Sequence, residues 1–198
     1  MVTFKNITDE EHKLELRKMI IDHYKELYGD EWIDSYIKCL KMKKPNKFRE
    51  FVIKDLTRYS TKEDKVNKDM KLLFDNKERN GENIAFGIIN SNTIIGYMIL
   101  TIHRQFKSNW ELDKFGELYR IYIKPEYRES FLKSTKKEEF INSIKNYMEE
   151  FFKSHKVEDV LMTIPAEFPD LISLGEDLGF IKENYVNEKN KDLWKKRV

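Results

Sequence analysis

Residues 117–128 read Glu-Leu-Tyr-Arg-Ile-Tyr-Ile-Lys-Pro-Glu-Tyr-Arg. The first half is rich in residues that favour extended chain. The Lys124-Pro125 step ends it, because proline has no N–H for a sheet ladder and holds the preceding residue extended. The pattern predicts a strand that stops abruptly. Ten residues on, Thr135-Lys136-Lys137-Glu138 has the form of a capping box. Phe140, Ile141, Ile144, Tyr147, Met148, Phe151 and Phe152 then recur three or four apart, as one face of a helix. A second apolar run covers residues 157–164. Strand, loop, helix and strand in this order predict a crossover unit whose two strands are parallel and joined right-handedly.

The flanking segments fill in a mixed sheet. Residues 84–89 and 93–103 are apolar runs joined by Asn90-Ser91-Asn92, a turn-forming trio, and predict an antiparallel hairpin. Residues 106–115 read as a polar connector back to the strand at Glu117. Residues 2–7 suit a short opening strand, and Thr8-Asp9-Glu10-Glu11 is a capping box starting a helix to about Glu26. Leu14, Leu16, Met19, Ile20, His23 and Tyr24 outline its expected buried side. A second helical stretch is expected at about residues 31–40, leading into a basic stretch at 41–49, with helix continuing to about Tyr59 and again from Ser60 through Val66, Met70, Leu73 and Phe74. Near the other end, residues 170–178 read as a short helix stopped by Gly179, followed by closing strands at 180–185 and 192–195.

Composition narrows the class. A length of 198 residues, with 40% hydrophobic and 36% charged residues, fits one globular domain with a full core. The 37 basic and 35 acidic residues leave a net charge of +2, so no polyelectrolyte field argues for a nucleic-acid partner. Lys41, Lys43, Lys44, Lys47 and Arg49 concentrate charge locally, and a solvated connector accounts for them as well as an acidic ligand does. The single cysteine, Cys39, excludes an internal disulfide framework and a multi-cysteine zinc site. His12 and His23 share a helix face, but no acid or cysteine matches them as metal ligands. The N-terminal residues hold no apolar signal core, and the longest apolar run, residues 94–100, is far short of the ~20 residues of a membrane span. A cytoplasmic protein is expected.

The order of strand, apolar-x-Pro-x-Tyr-Arg, loop, helix and second strand, closed by Leu178-Gly179-Phe180, resembles the GNAT superfamily of acyl-CoA-dependent N-acyltransferases. The resemblance spans roughly residues 83–186. It implies an α+β fold with a mixed sheet of six or seven strands, mostly antiparallel with one parallel β-α-β crossover, and helices on both faces. It also implies one domain over residues 1–198 with an enlarged helical region at about 8–78, the part that in this family walls the acceptor pocket.

An acyltransferase of this kind holds a pyrophosphate, aligns a pantetheine arm, takes a proton from an amine and protonates a leaving thiolate. The family pattern after the arginine is x-x-Gly-x-Gly or Ala, whereas this chain has Arg128-Glu129-Ser130-Phe131-Leu132-Lys133-Ser134-Thr135-Lys136, without glycine. Either Arg128, Lys133 and Ser134, with Thr135, Lys136 and Lys137, hold the phosphates by side chains, or Phe131 and Leu132 fill the space. For the pantetheine the resemblance implies the backbone of Ile121, Tyr122 and Ile123, paired as an added strand would be. Glu117 stands where some members keep a general base, and a strand-end carboxylate paired with a lysine is the structural alternative. His103 is another candidate base. Arg120 shares a strand face with Leu118 and Tyr122, and either binds a substrate carboxylate or makes a structural salt bridge. The family's C-terminal tyrosine and asparagine align with Gly175 and Phe168, which leaves Tyr122, Tyr185 or water to protonate the thiolate.

The expected function is transfer of an acetyl group from acetyl-CoA to a small-molecule or protein amine acceptor by direct attack. The alternative is a catalytically inactive protein of this fold acting as a binding or regulatory module. No membrane partner is expected, and a homodimer stays open.

Overall fold

Alternating apolar residues on seven segments build one mixed sheet in the computed structural model, which describes residues 2–28, 66–67, 70, 81–106, 112–165, 169–186 and 191–198. The chain divides into two compact units, residues 1–7 with 76–198, and residues 8–75. The first unit carries β1 (Thr3–Asn6), β2 (Gly81–Asn90), β3 (Thr93–Phe106), β4 (Leu112–Ile123), β5 (Asp159–Pro165), β6 (Ile181–Val186) and β7 (Lys191–Arg197). Their order across the sheet is β1-β2-β3-β4-β5-β7-β6, with β4 and β5 parallel and every other pair antiparallel.

The hairpin expected at Asn90-Ser91-Asn92 forms. Ser91 (φ 47°) and Asn92 (φ 65°) both take the left-handed conformation of a two-residue turn whose twist matches the flanking strands. Within the connector expected over residues 106–115, Phe106 and residues 112–115 are strand instead. The β3–β4 ladder runs out to Phe106 opposite Leu112, and it places the exposed Arg104 opposite Lys114.

One face of the sheet is packed by helix. The helix at Lys137–Ser154 buries Phe140, Ile141, Ile144, Met148 and Phe152, the stripe expected from spacing. These side chains meet Phe86, Met98, Leu100, Leu118, Ile121 and Ile123 from the strands. The approach is close at Gly116, where an added Cβ would lie 2.4 Å from Cε1 of Phe152. The expected capping box does not form: Lys136 is the N-cap residue and makes no side-chain cap, while Ser134 Oγ accepts from Lys136 N–H at 3.1 Å.

The segment after Pro125 is a helix rather than a loop. We number the helices α1 (Glu10–Tyr28), α2 (Pro125–Leu132), α3 (Lys137–Ser154) and α4 (Pro169–Asp177). Pro125 suits a first helical turn, where its missing N–H has no partner to lose. Tyr127, Phe131 and Leu132 then turn inward against the core. At the end of α4, Gly179 takes φ +84°, a helix stop that other residues adopt only with strain.

Lys196 ties β7 to α3 and α4. Its Nζ donates to Leu178 O and pairs with Glu149 Oε1, each at 2.7 Å. Burial pushes the ammonium pKa below its ordinary value by more than Glu149 restores. On Glu149, burial acts upward but the Lys196 hydrogen bond and charge, with Lys153 and Lys145, outweigh it and hold the carboxyl low. The two shifts differ because Lys196 is the deeper partner, its side chain 6% exposed against 22% for Glu149.

In the second unit, Asp9 caps α1 by accepting from His12 N–H at 2.9 Å, so the cap sits one residue after the expected Thr8. Leu16, Met19 and Ile20 are buried, and Arg17 Nε donates to Asn67 Oδ1 at 3.0 Å. Leu14 is exposed, because two residues turn a helix by about 200° and carry it away from the face of Leu16. The helices expected over residues 31–59, the basic stretch at 41–49, Cys39, Leu73 and Phe74 lie outside the described residues, and Val66, Asn67 and Met70 are helical.

Candidate active site

β4 and β5 share a ladder only at Gly116 opposite Val160 and Glu117 opposite Leu161. Past that point β5 continues to Pro165 beside β7, and β4 continues to Ile123 beside β3. The two parallel strands thus meet at Glu117 and diverge beyond it.

A bulge sets which side chains face where. Ile99 is opposite Arg120 and Leu100 opposite Leu118, so Tyr119 is an extra residue on β4. Leu118, Ile121 and Ile123 all join the core beneath α3. The opposite face receives Glu117, Arg120 and Tyr122, level with Thr101, Ile99 and Tyr97 on β3. Arg120 therefore shares its face with Tyr122, as expected, but not with Leu118; counting by twos fails across a bulge.

On that second face the polar groups are joined. His103 Nε2 and Glu117 Oε2 lie 2.8 Å apart, with side chains 29% and 20% exposed. A carboxylate only accepts, so Nε2 carries the proton of the neutral ring and Nδ1 keeps the lone pair. Phe115 stacks on the imidazole at 4.6 Å, fixing the ring plane. Beside them Thr101 Oγ1 donates to Asn83 Oδ1 at 2.6 Å. Farther along β4, the Tyr97 and Tyr122 rings lie 5.7 Å apart. Burial raises the Tyr97 hydroxyl pKa well above its ordinary value, partly countered by the hydrogen-bonded Arg120 guanidinium. Arg120 also sits over the Tyr119 ring at 5.0 Å. At the strand end Arg128 folds back from α2. Its Nε donates to Ile123 O at 2.8 Å, and its guanidinium lies 5.3 Å from the Tyr122 ring centre.

Comparison with solved structures finds this fold elsewhere. The chain is similar to the PaiA N-acetyltransferase of Thermoplasma acidophilum in complex with coenzyme A, at TM-score 0.56 and 16% identity over 100% of this chain and 99% of that one. An acetyltransferase from Streptococcus agalactiae matches at TM-score 0.58 and 12% identity over 100% and 98%. The chain has the GNAT fold. A variant of the SpeG spermidine N-acetyltransferase of Vibrio cholerae matches at 0.52 and 13% identity over 100% and 92%. No family model and no curated protein matches the sequence.

Within the GNAT fold, the expected site residues fall into three places. Glu117 stands at the root of the β4–β5 divergence, with His103 rather than a lysine as its partner. Ile121, Tyr122 and Ile123 line the diverging part of β4, with Arg128 at its end. Lys133 and Ser134 form the turn from α2 into α3. Lys133 is exposed, while Ser134 Oγ is engaged with Ser130 O and Lys136 N–H. Phe131 packs on Phe140 at 5.0 Å, and Lys137 pairs with Asp177 at 2.6 Å. Tyr122 is buried, and the side chains of Phe168 and Tyr185 lie outside the described residues.

Gly175 has its own structural reason. An added Cβ would lie 2.9 Å from Ile164 Cδ1, so any side chain at this position of α4 requires the tip of Ile164 to shift. Among the described residues, no cluster of three or more His, Cys, Asp or Glu side chains could hold a metal ion, and no helix is long and apolar enough to cross a membrane.

Proposed function

We propose that the protein is an N-acyltransferase that moves an acetyl group from acetyl-CoA to an amine. The observation that carries this reading is the position of Glu117: the last β4 residue paired to β5, hydrogen-bonded to His103, at the root of the strand divergence. The strand from Leu118 to Ile123, flanked by β3, suits an extended arm laid along its other edge, with Ile121, Tyr122 and Ile123 as its backbone partners. Lys133, Ser134 and Arg128 would hold the phosphates by side chains and through the turn leading into α3. Acetyl-CoA supplies the activated acyl group.

The Glu117–His103 pair takes the proton from the acceptor ammonium, leaving the nitrogen lone pair to attack the carbonyl carbon. The C–N bond forms, the C–S bond breaks, and the nitrogen sheds its second proton to the pair. Tyr122 or water gives a proton to the thiolate and regains one from the pair, which passes its other proton to solvent. Transfer to a positioned base of this kind is worth about 10²–10⁴ in rate.

A second reading, a binding or regulatory module on the same scaffold, has one observation in its favour. α2 and the Phe131–Phe140 contact stand where the family's glycine loop cradles phosphate. Thiol release from acetyl-CoA, followed with a panel of primary amines, separates the two. The enzyme reading expects turnover that falls by about 100-fold or more in Glu117→Gln. Absence of thiol release with every amine supports the module.

A further inference from the structure

We infer that Asp177 sets the affinity for acetyl-CoA, because it competes with the cofactor's phosphates for the ammonium of Lys137. The inference rests on the acyltransferase reading and adds an affinity-determining residue to its cofactor site. Lys137 is the first residue of α3, and its Nζ pairs with Asp177 Oδ2 at 2.6 Å. The Cα–Cβ bond of a helical residue leans toward the helix start, so a lysine in the first position serves the space before the first turn. There the positive end of the helix dipole favours an anion. The carboxylate of Asp177 already engages the lysine that would meet it.

The backbone at the start of α3 leaves this task to side chains. Lys136 N–H donates to Ser134 Oγ at 3.1 Å and Lys137 N–H to Ser134 O at 3.0 Å, so both groups are spent within the turn. Asp177 has its own use for the cation. It is the last residue of α4, whose final turn holds no basic residue, and a carboxylate there meets the negative end of the helix dipole. Lys137 supplies the missing positive charge from α3. Both side chains remain partly exposed, so an entering anion reaches the pair with the two helices in place. An ammonium is a compact charge on a flexible stem, which lets it turn from one anion to another.

The test is calorimetric titration of the full chain with acetyl-CoA and, separately, with S-acetylpantetheine, which carries the same thioester and no phosphate. Asp177→Asn is expected to tighten acetyl-CoA binding about 5–20-fold and to leave S-acetylpantetheine unchanged. In a Lys137→Gln background the same Asp177→Asn change is expected to bring about twofold or less, because the competed ammonium is gone. In wild-type protein the side-chain carboxyl carbon of Asp177 is expected to shift in NMR spectra as acetyl-CoA is added. That reading needs no variant and decides the matter should Asp177→Asn fail to fold by circular dichroism. Equal or weaker acetyl-CoA binding by folded Asp177→Asn, the same gain for S-acetylpantetheine, a gain that persists in full without Lys137, or a carboxyl signal that stays still in a protein that binds overturns the inference and leaves the acyltransferase reading standing. Acetyl-CoA binding by Asp177→Asn where wild type shows none supports both. No binding by any variant, wild type included, sinks both.

Discussion

The two faces of β4 are built to different rules. Toward α3, Gly116, Leu118, Ile121 and Ile123 pack into the apolar core, and Lys196 of β7 is tied to Glu149 and Leu178 O. Toward the other side, Glu117, Arg120 and Tyr122 stand among hydrogen-bonded and stacked groups, and Glu117 and His103 keep some exposure. The Tyr119 bulge resets the alternation midway, so Leu118 and Ile121 share one face and Glu117 and Arg120 the other. A core needs only shape and apolarity, whereas a row of partly exposed, oriented polar groups adds little to stability and is therefore the better sign of chemistry.

That contrast breaks if side chains on the packed face control rate, or those on the polar face control stability. Phe152→Ala removes a fully buried ring against Gly116 and is expected to cost about 3–5 kcal/mol in urea unfolding. Glu117→Gln is expected to shift stability by less than about 1 kcal/mol while slowing thiol release about 100-fold or more, close to 3 kcal/mol of barrier. Lys196→Met sharpens the comparison, since it is a charge on the packed face; losing its bonds to Leu178 O and Glu149 is expected to cost about 1–3 kcal/mol with kcat unchanged.

The same pair sets a pH signature. The Glu149 carboxyl is held low, so its contribution is present above about 4.5 and is lost as pH falls through the lowered folded value. The Lys196 pKa is also lowered, so the unfolded chain binds its proton more tightly, and stability rises as pH climbs from the folded value toward 10.5. Denaturation midpoints across pH should show both slopes, and Lys196→Met should flatten both. His103→Gln carries the smallest expected effect, about tenfold in kcat, with stability nearly unchanged.

Much of the packed face was legible in the residues. Asn90-Ser91-Asn92 could only turn, Pro125 could only end β4, and the spacing from Phe140 to Phe152 could only be a helix stripe. The polar face was less so. Glu117 and His103 are fourteen residues apart, and their meeting depends on the β3–β4 register, which no local propensity sets across residues 107–111. The bulge at Tyr119 has no composition signal, so Leu118 and Arg120 read as neighbours on one face. The resemblance to a glycine loop hides α2, although Tyr127, Phe131 and Leu132 have helical spacing. The contact between Gly175 and the tip of Ile164 depends on how α4 lands on β5, a tertiary fact.

The central claim is that the divergence of β4 from β5 beyond Glu117 receives a nucleotide-tailed thioester. Calorimetric titration of the full chain with acetyl-CoA tests it most directly. The account predicts saturable binding of one ligand per chain at micromolar concentration, weakened about tenfold by Lys133→Glu. No binding up to millimolar acetyl-CoA, by protein that unfolds cooperatively, would contradict it.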